Sequence, residues 1–418
     1  MSPQRAHAPF AATVAVLSVV AMLVIGQSFI TIPLMPELGR AWGVTPESAA
    51  WATTVFAVTY AFGSLAGGPL SDRCGRRAIL TGSVAALAVA TTLVPFASDL
   101  TWGLTVRALQ GVAAGSFVPM SYAYLAERIP ERRLPLALTT VGATAGASAV
   151  VSQIEGQLIG GTLGWRAVFL ISAPLLAAGA VALWRVLLPG PAPDAPAPGS
   201  GSDAVAGRGI KVLASARVLP LLLVAVPVLG SLTAVYTSVQ LYGPAELVGD
   251  DGAMLSLRAS ALPAMLLAVL VAPWLGRVPA LRRAAGSLGV AAIGLMAAAP
   301  AGGNTVALGV ALFVFVLAVS TVGPAIVQAL GASAGTAGAS AMAVYGFLLN
   351  LGSGAGAQFP LLVGNLTGVA VSVAVLLAAA IGLIAVASRA AGRQARTSVV
   401  AGSAAGPGRV TPKDAAQR

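Results

Sequence analysis

Residues 68–77, GPLSDRCGRR, place one carboxylate and three guanidinium groups within ten positions of a chain that is only 9% charged overall. A carboxylate beside guanidinium groups forms charge-assisted hydrogen bonds, and it stabilises a helix N-terminus when it lies at one. The glycines of the stretch permit a tight turn and a close approach of neighbouring helices. We therefore expect electrostatic chemistry here: a charge cluster that forms in one conformation and separates in another.

Side chains for metal binding and covalent catalysis are scarce in the chain. It has one cysteine, Cys74, and one histidine, His7, so an internal disulfide and a Cys/His metal cluster are both excluded. An enzyme would need a convergent set of His, Asp, Glu or Ser side chains. The nucleotide-binding pattern G-x-x-x-x-G-K-[ST] does not occur. The sequence predicts no enzyme, no cofactor and no metal site.

The elements that must position the charged residues are membrane-spanning helices. The chain has 418 residues, 57% of them hydrophobic, and a mean hydropathy of +0.89, whereas soluble domains carry about 25% charged residues. Stretches of about 20 apolar residues, the length that crosses a bilayer, recur along it. We predict an all-α polytopic membrane protein with twelve transmembrane helices, at residues 11–35, 49–69, 79–97, 101–124, 136–160, 166–188, 218–241, 254–275, 284–300, 304–328, 338–363 and 367–388.

The predicted spans fall into two sets of six, separated by a segment rich in Pro, Gly, Ser and Ala. This segment, LPGPAPDAPAPGSGSDAVAGRG, has no apolar period and is typical of a flexible connector. We expect an N-terminal six-helix unit at 1–188, a linker at 189–217, a C-terminal six-helix unit at 218–388 and a disordered tail at 389–418.

The basic residues are distributed unequally between the two sides of the predicted membrane. With the N-terminus placed in the cytoplasm, 20 of the 24 Lys and Arg residues fall on the cytoplasmic side, as the positive-inside rule requires. We therefore expect cytoplasmic termini, a cytoplasmic linker, a location in the cell membrane and no nucleic-acid binding. The first apolar stretch is longer than a signal-peptide core, and we expect it to remain as a helix.

Residues 68–77 lie between the second and third predicted spans, where they resemble the loop signature of the major facilitator superfamily, G-x-L-a-D-r-x-G-r-r. Two further segments resemble patterns of that superfamily: LTVRALQGVAAG in the fourth span and GWRAVF at the start of the sixth. The resemblance implies two six-helix bundles around a central cavity, which works by alternating access. We expect the charge cluster to act as a conformational latch, made of Gly68, Asp72, Arg73, Gly75, Arg76 and Arg77.

The fifth predicted span departs from the pattern of the superfamily's drug:proton antiporters, which usually carry Gly-Pro and a following Gly-Gly there. The corresponding positions hold Ser152-Gln153 and Gly156-Gln157. Small residues remain at helical spacing, and these permit close packing of neighbouring helices. We expect a packing or gating role for the small residues of the fourth and fifth spans, Gly111, Gly115, Ser152, Gly156 and Gly160.

Two charged residues, Arg107 and Glu155, lie well inside predicted spans. Charge in the bilayer core is costly and indicates function. Both are predicted in the outer half of the first bundle, where they could form an ion pair, and a Glu155 carboxyl that faces the cavity could exchange protons. No buried charge is predicted in the last six spans. The predicted pathway for protons and substrate comprises Arg107, Glu155, Gln27, Gln110, Tyr236, Gln240 and Asn350.

These observations favour a secondary active transporter that couples proton entry to efflux of small amphipathic compounds, such as a drug or a secondary metabolite. A cavity with one charge pair and amide or apolar walls argues against phosphorylated sugars and dicarboxylates, which need several basic residues. The expected partners are the substrate, protons and the lipid bilayer, with the protein as a monomer. Two alternatives stay open: a facilitator-type importer of a sugar or other metabolite, and a non-transporting sensor or scaffold.

Overall fold

The computed structural model describes residues 8–189, 211–248, 250–299, 304–335 and 338–404. Within these ranges every regular element is a helix. A helix forms the hydrogen bonds of its own backbone N–H and C=O groups, as the interior of a bilayer requires. Most of the predicted linker and the last part of the predicted tail lie outside the described residues, as does the side chain of Asp72.

The first half of the described chain is built from a series of α-helices. They are α1 (Phe10–Phe29), α2 (Met35–Trp42), α3 (Pro46–Ala49), α4 (Trp51–Cys74), α5 (Arg76–Leu93), α6 (Leu100–Gly115), α7 (Phe117–Arg128), α8 (Leu134–Leu163) and α9 (Trp165–Val186). Asp99 caps α6, because its carboxylate accepts a hydrogen bond from the Trp102 amide at 2.9 Å. This backbone hydrogen bond also lowers the pKa of Asp99.

The second half of the described chain is likewise built from α-helices. They are α10 (Leu219–Leu223), α11 (Ala225–Tyr242), α12 (Ala245–Val248), α13 (Asp251–Ala259), α14 (Ala261–Leu275), α15 (Ala280–Ala298), α16 (Thr305–Ala334), α17 (Gly338–Val363) and α18 (Leu366–Ala404). Side chains again mark helix starts: Asp250 accepts from two amides at the start of α13, and Asn304 from the Ala307 amide at the start of α16.

Nine segments of the described chain are long and apolar enough to cross a membrane. The other predicted spans, 101–124, 254–275 and 338–363, fall on α6 with α7, on α13 with α14, and on α17. The all-α polytopic fold class is thus confirmed, and the count of twelve spans stays a prediction.

The helices run between two ends of the molecule, which cross-contacts identify. At one end, called the near end, Ala8 donates its amide to the Arg128 carbonyl at 3.2 Å, and Arg128 donates to the Pro189 carbonyl at 2.7 Å. At the other, called the far end, Arg166 donates to the Pro95 carbonyl at 3.0 Å. Residues 8, 75, 128 and 189 therefore lie at the near end, and residues 42, 95, 164 and 250 at the far end.

Glycines bring pairs of helices into backbone contact in each half. A Cβ on Gly111 or Gly115 would collide with the backbone of α4, at Phe56 and Tyr60 respectively. In the second half, a Cβ on Gly352 would collide with α11 in the same way. Small residues drive helix association in membranes by permitting such close packing, and here they hold α4 to α6 and α11 to α17.

The predicted loop at residues 68–77 is shorter than expected. Helix α4 continues to Cys74, and α5 begins at Arg76, so only Gly75 stands outside a helix. Gly75 adopts φ +81°, a left-handed conformation that favours glycine. The expectation of a loop over these ten residues was wrong, because nothing in positions 70–74 stops the helix before Gly75.

Candidate functional site

A small cavity, of about 10 Å³, lies between the two halves of the chain. Helices α1 and α8 of the first half and α11, α14 and α16 of the second half enclose it. Its walls are mostly apolar, and they are formed by Phe29, Ala149, Val150, Gln153, Leu232, Tyr236, Met265 and Val316. We call it the central cavity.

Two polar side chains line the central cavity from opposite halves: Gln153 on α8 and Tyr236 on α11. The Gln153 amide nitrogen donates to the Ala149 carbonyl at 2.6 Å, which leaves its Oε1 as a free acceptor. Neither Gln153 Oε1 nor the Tyr236 hydroxyl has a hydrogen-bond partner among the described residues, although both atoms are buried. Tyr236 is one of the predicted pathway residues, whereas the sequence singles out Gln153 only as a departure from a motif.

Arg107 is fully buried in the first half, at the centre of a polar network. Its guanidinium donates to the Gln27 carbonyl at 2.7 Å, the Ala52 carbonyl at 3.1 Å and Gln110 Oε1 at 2.8 Å. Gln110 in turn donates to Thr91 Oγ1 at 2.8 Å. The structure thus brings three predicted pathway residues together, Arg107, Gln27 and Gln110, and they link α1, α4, α5 and α6.

The expected ion pair between Arg107 and Glu155 is absent, although both side chains are described. Glu155 instead lies beside the Ser172 hydroxyl of α9, with which it hydrogen-bonds. Glu155 lies two positions after Gln153, which corresponds to about 200° around a helix. Glu155 therefore points away from the central cavity, and the expectation that it faces the cavity was wrong.

A second buried arginine, Arg258, lies in the second half on α13 and is 2% exposed. Its guanidinium donates to Gln157 Oε1 on α8 and to Gln240 Oε1 on α11. The expectation that the second half holds no buried charge was therefore wrong. Arg258 lies only four positions after the start of the predicted span 254–275. The sequence therefore suggested that it lies at the membrane surface and not in the interior.

The predicted residues Gln240 and Asn350 have different surroundings. Gln240 accepts from Arg258, one helical turn beyond Tyr236 towards the far end. Asn350 donates to the Gly346 carbonyl of its own helix at 2.9 Å, and it does not line the central cavity.

Hydrogen bonds join the two halves at two interfaces, the first of which lies on α8 towards the far end. Gln157 uses both ends of its amide there, since it accepts from Arg258 and donates to the Asp251 carbonyl at 2.8 Å. On the other interface, Thr54 of α4 donates to the Gly354 carbonyl of α17 at 3.0 Å and accepts from Gln358 at 2.7 Å. Gln157 and Thr54 thus join the halves, although neither is among the predicted pathway residues.

A second cavity, of about 40 Å³, opens beside Gln157 and Arg258 at the far end. Two carboxylate residues line it, Glu37 of α2 and Asp251 of α13. Burial raises the pKa of Glu37; a Trp165 backbone hydrogen bond and Arg40 oppose this shift, and Asp251 reinforces it. We call this space the far cavity.

The predicted latch residues form contacts between helices at the near end. Arg76 pairs with Glu127 at 2.6 Å, which joins the start of α5 to the end of α7. Arg77 lies 4.0 Å from the centre of the Trp184 ring and donates to the Trp184 carbonyl. Arg73 is exposed, and any pairing of Asp72 lies outside the described side chains. Glu127 was missed because its sequence context shows only a charged helix end.

The small residues of α8 lie against α1. A Cβ on Gly156 would approach the Ile30 carbonyl to 2.8 Å, and one on Gly160 would approach Leu34 Cδ2 to 2.6 Å. Ser152 lies against Gly26, whose added Cβ would be 3.1 Å from that of Ser152. This face packs tightly, and its role in gating stays a prediction.

Residues 17–357 match the family model described as Major Facilitator Superfamily. The chain is 31% identical over 157 residues to "Multidrug resistance protein MdtG" of Salmonella paratyphi C, which is 36% of this chain and 39% of the relative. The protein of the same name from Escherichia coli is also 31% identical over 157 residues, covering 36% and 38%. The match spans about two fifths of the length of these curated relatives.

Solved structures of transporters share the fold at low sequence identity. A bacterial homologue of the human lysosomal transporter Spinster, in an inward-facing and unoccupied conformation, superposes with a TM-score of 0.69 at 16% identity, covering 93% of this chain and 98% of that one. The human organic anion transporter MFSD10 superposes with a TM-score of 0.68 at 17% identity, covering 90% and 99%.

Proposed function

The chain belongs to the Major Facilitator Superfamily, and on this premise we propose that it exports small amphipathic compounds in exchange for protons by alternating access. It is an integral membrane transporter rather than an enzyme. The direction of transport, the proton coupling and the substrate class are what we propose.

The observation that carries the proposal is the central cavity, which both halves enclose. Rocking of one half against the other opens such a cavity to one side of the membrane at a time. Its walls are apolar, and in the described structure no charged side chain lines it. These features support an amphipathic substrate rather than a phosphorylated sugar or a dicarboxylate.

Export and proton exchange rest on two separate observations. The alignment with multidrug resistance proteins covers only part of those relatives, and it supports export of drug-like compounds. Glu155 supplies a half-buried carboxylate within a membrane-spanning helix, and we propose that it exchanges protons. The near-end cluster around Arg76, with Asp72, is proposed to latch one state.

Transport by purified protein in proteoliposomes tests the proposal. The probe is radiolabelled chloramphenicol, which carries no charge and so does not accumulate in acidic vesicles by itself. Vesicles with an acidic lumen should accumulate it, because outward proton flow drives its inward exchange, and protein-free vesicles should not. Equilibration without accumulation, at a rate independent of the pH gradient, would instead favour the facilitator-type importer. The Ser152-Gln153 pair, which departs from the antiporter pattern, is the reason for testing that alternative.

A further inference from the structure

Resting on the proposed transport function, we propose that the central cavity selects uncharged solutes that carry a hydrogen-bond donor and an acceptor on an apolar frame, and that it rejects cations. Gln153 and Tyr236 are the residues that determine this specificity. The proposal concerns the chemical class of substrate, and it is independent of the direction of transport and of proton coupling.

The first support is a pair of buried polar atoms without partners in the described structure. Gln153 is 1% exposed and Tyr236 is 3% exposed, and both line the cavity. Leaving a buried donor or acceptor without a hydrogen bond is unfavourable, so a solute that supplies both bonds recovers this free energy on binding. Because Gln153 Nε2 is engaged by Ala149, Gln153 offers an acceptor, and the tyrosine hydroxyl is available as a donor.

The second support is the sign of a nearby buried charge. Arg258 is buried and, among the described residues, forms no ion pair with a carboxylate. Arg258 lies close enough to Tyr236 to interact electrostatically, whereas Glu155 lies on the opposite face of α8. A cation in the cavity would therefore meet like charge and no carboxylate, and burying an unpaired charge is costly.

The third support is the lining of the cavity. Phe29, Leu232 and Met265 supply aromatic, aliphatic and thioether surfaces, and sulfur–aromatic contacts are favourable. The cavity is closed to about 10 Å³ in this state, so a larger solute enters when the two halves rock apart. A two-ring molecule with one polar group at each end would then bond Gln153 of one half and Tyr236 of the other.

Calorimetry on the full chain in lipid nanodiscs, without a pH gradient, tests the proposal. Three probes share a 4-hydroxybiphenyl frame and carry a 4′-carboxamide, a 4′-carboxylate or a 4′-trimethylammonium group; unsubstituted biphenyl is a fourth. The carboxamide should bind at least tenfold more tightly than the trimethylammonium probe, which meets like charge, and than the carboxylate, whose charged group has no hydrogen to donate to Gln153 Oε1. Tyr236→Phe and Gln153→Leu should each weaken carboxamide binding about three- to tenfold, as loss of one hydrogen bond predicts, and leave biphenyl binding unchanged.

A matched control and a charge variant sharpen the test. Tyr345 also has a buried hydroxyl without a partner in the described structure, but it does not line the cavity, so Tyr345→Phe should leave all four affinities unchanged. Gln153→Glu places a carboxylate in the cavity and should make the trimethylammonium probe the preferred ligand.

Two results would overturn the proposal: equal or tighter binding of a charged probe by the wild-type protein, or unchanged carboxamide binding in folded Tyr236→Phe and Gln153→Leu variants. If those two variants do not fold, the proposal would also be overturned by a Gln153→Glu variant that still prefers the carboxamide probe to the trimethylammonium probe. Loss of gradient-driven transport together with the expected binding pattern would contradict proton-coupled export and leave the cavity's specificity standing.

Discussion

Arg107 is a cation that the first half of the protein surrounds with dipoles rather than with a carboxylate. Its guanidinium bonds two backbone carbonyls and one side-chain amide, and it lies 4.3 Å from the centre of the Phe56 ring. Carbonyl dipoles and an aromatic face both stabilise a positive charge. Arg107 therefore holds α1, α4 and α6 in register.

We predict that Arg107→Met destabilises the protein markedly. The substitution leaves three buried acceptors without their donor, and each unsatisfied group costs about 1–3 kcal/mol. The melting temperature in detergent should fall by several degrees, and the yield of folded protein should drop. Arg166→Met is the control, because that exposed arginine donates to a single described carbonyl, that of Pro95; an equal loss in both variants would contradict the prediction.

For Glu155→Gln we predict loss of gradient-driven transport with retention of substrate binding and of exchange without a gradient. The carboxyl lies beside Ser172 and outside the central cavity, and glutamine keeps a similar shape while it cannot exchange a proton. Transport in proteoliposomes with and without a pH gradient measures both activities. Normal proton coupling in Glu155→Gln would show that another group carries the proton.

Two further variants separate a proton carrier from a structural residue. Ser172→Ala removes the neighbour of Glu155 but leaves a carboxyl to titrate, so coupling should survive with an altered pH profile. Because Arg107 and Glu155 form no pair, Arg107→Leu should not rescue Glu155→Gln; rescue would indicate that the two residues pair in another conformation.

At the scale of helices, the far-end contacts of α8 with α11 and α13 decide whether the two halves separate there. Gln157 is central, because its amide both accepts from Arg258 and donates to the Asp251 carbonyl. A contact between an arginine and an amide is easier to break than a buried ion pair, as a reversible gate requires.

We predict that Gln157→Leu opens the far end. Losing about 1.4 kcal/mol of stabilisation shifts a two-state equilibrium tenfold. A cysteine introduced as Met254→Cys, in a Cys74→Ser background, reports this opening, because Met254 lines the far cavity and is 4% exposed. Its labelling by a polar maleimide should quicken several-fold in Gln157→Leu.

Gln157→Glu is the opposing variant, because a carboxylate there pairs with Arg258. It should slow labelling of the same cysteine and slow transport, since the gate then closes through an ion pair. Equal labelling rates in wild-type, Gln157→Leu and Gln157→Glu backgrounds would show that the α8–α13 contact does not control access.

At the scale of the whole molecule, the orientation in the membrane follows from charge. The near end carries the basic clusters, and we predict that it faces the cytoplasm. Cys74 is exposed at that end and is the only cysteine of the chain, so in intact cells an impermeant maleimide should not label it. Gly252 is exposed at the far end, so a cysteine introduced there as Gly252→Cys, in a Cys74→Ser background, should be labelled. Labelling of Cys74 without labelling of Gly252→Cys would show that the protein has the opposite orientation.

Much of the fold could be predicted from the sequence because it depends on local properties. A run of apolar residues long enough to cross a bilayer forms a helix whatever its neighbours are. Charged segments between runs set orientation through the same local rule. The positive φ of Gly75 is likewise a local requirement. Gly75 and the arginines beside it therefore reveal the family resemblance, although the sequence does not show how the helices pack.

The tertiary structure alone decided which side chains meet. The sequence determines how deep a residue lies along a helix, but the direction that it faces depends on which helices pack beside it. Arg107 and Glu155 were expected at similar depths, yet they face different neighbours. Arg258 is buried where Gln157, on α8 of the other half, lies against it, and Gln153 lines the central cavity together with residues of the second half. Contacts of this kind join distant parts of the chain, so no local pattern encodes them.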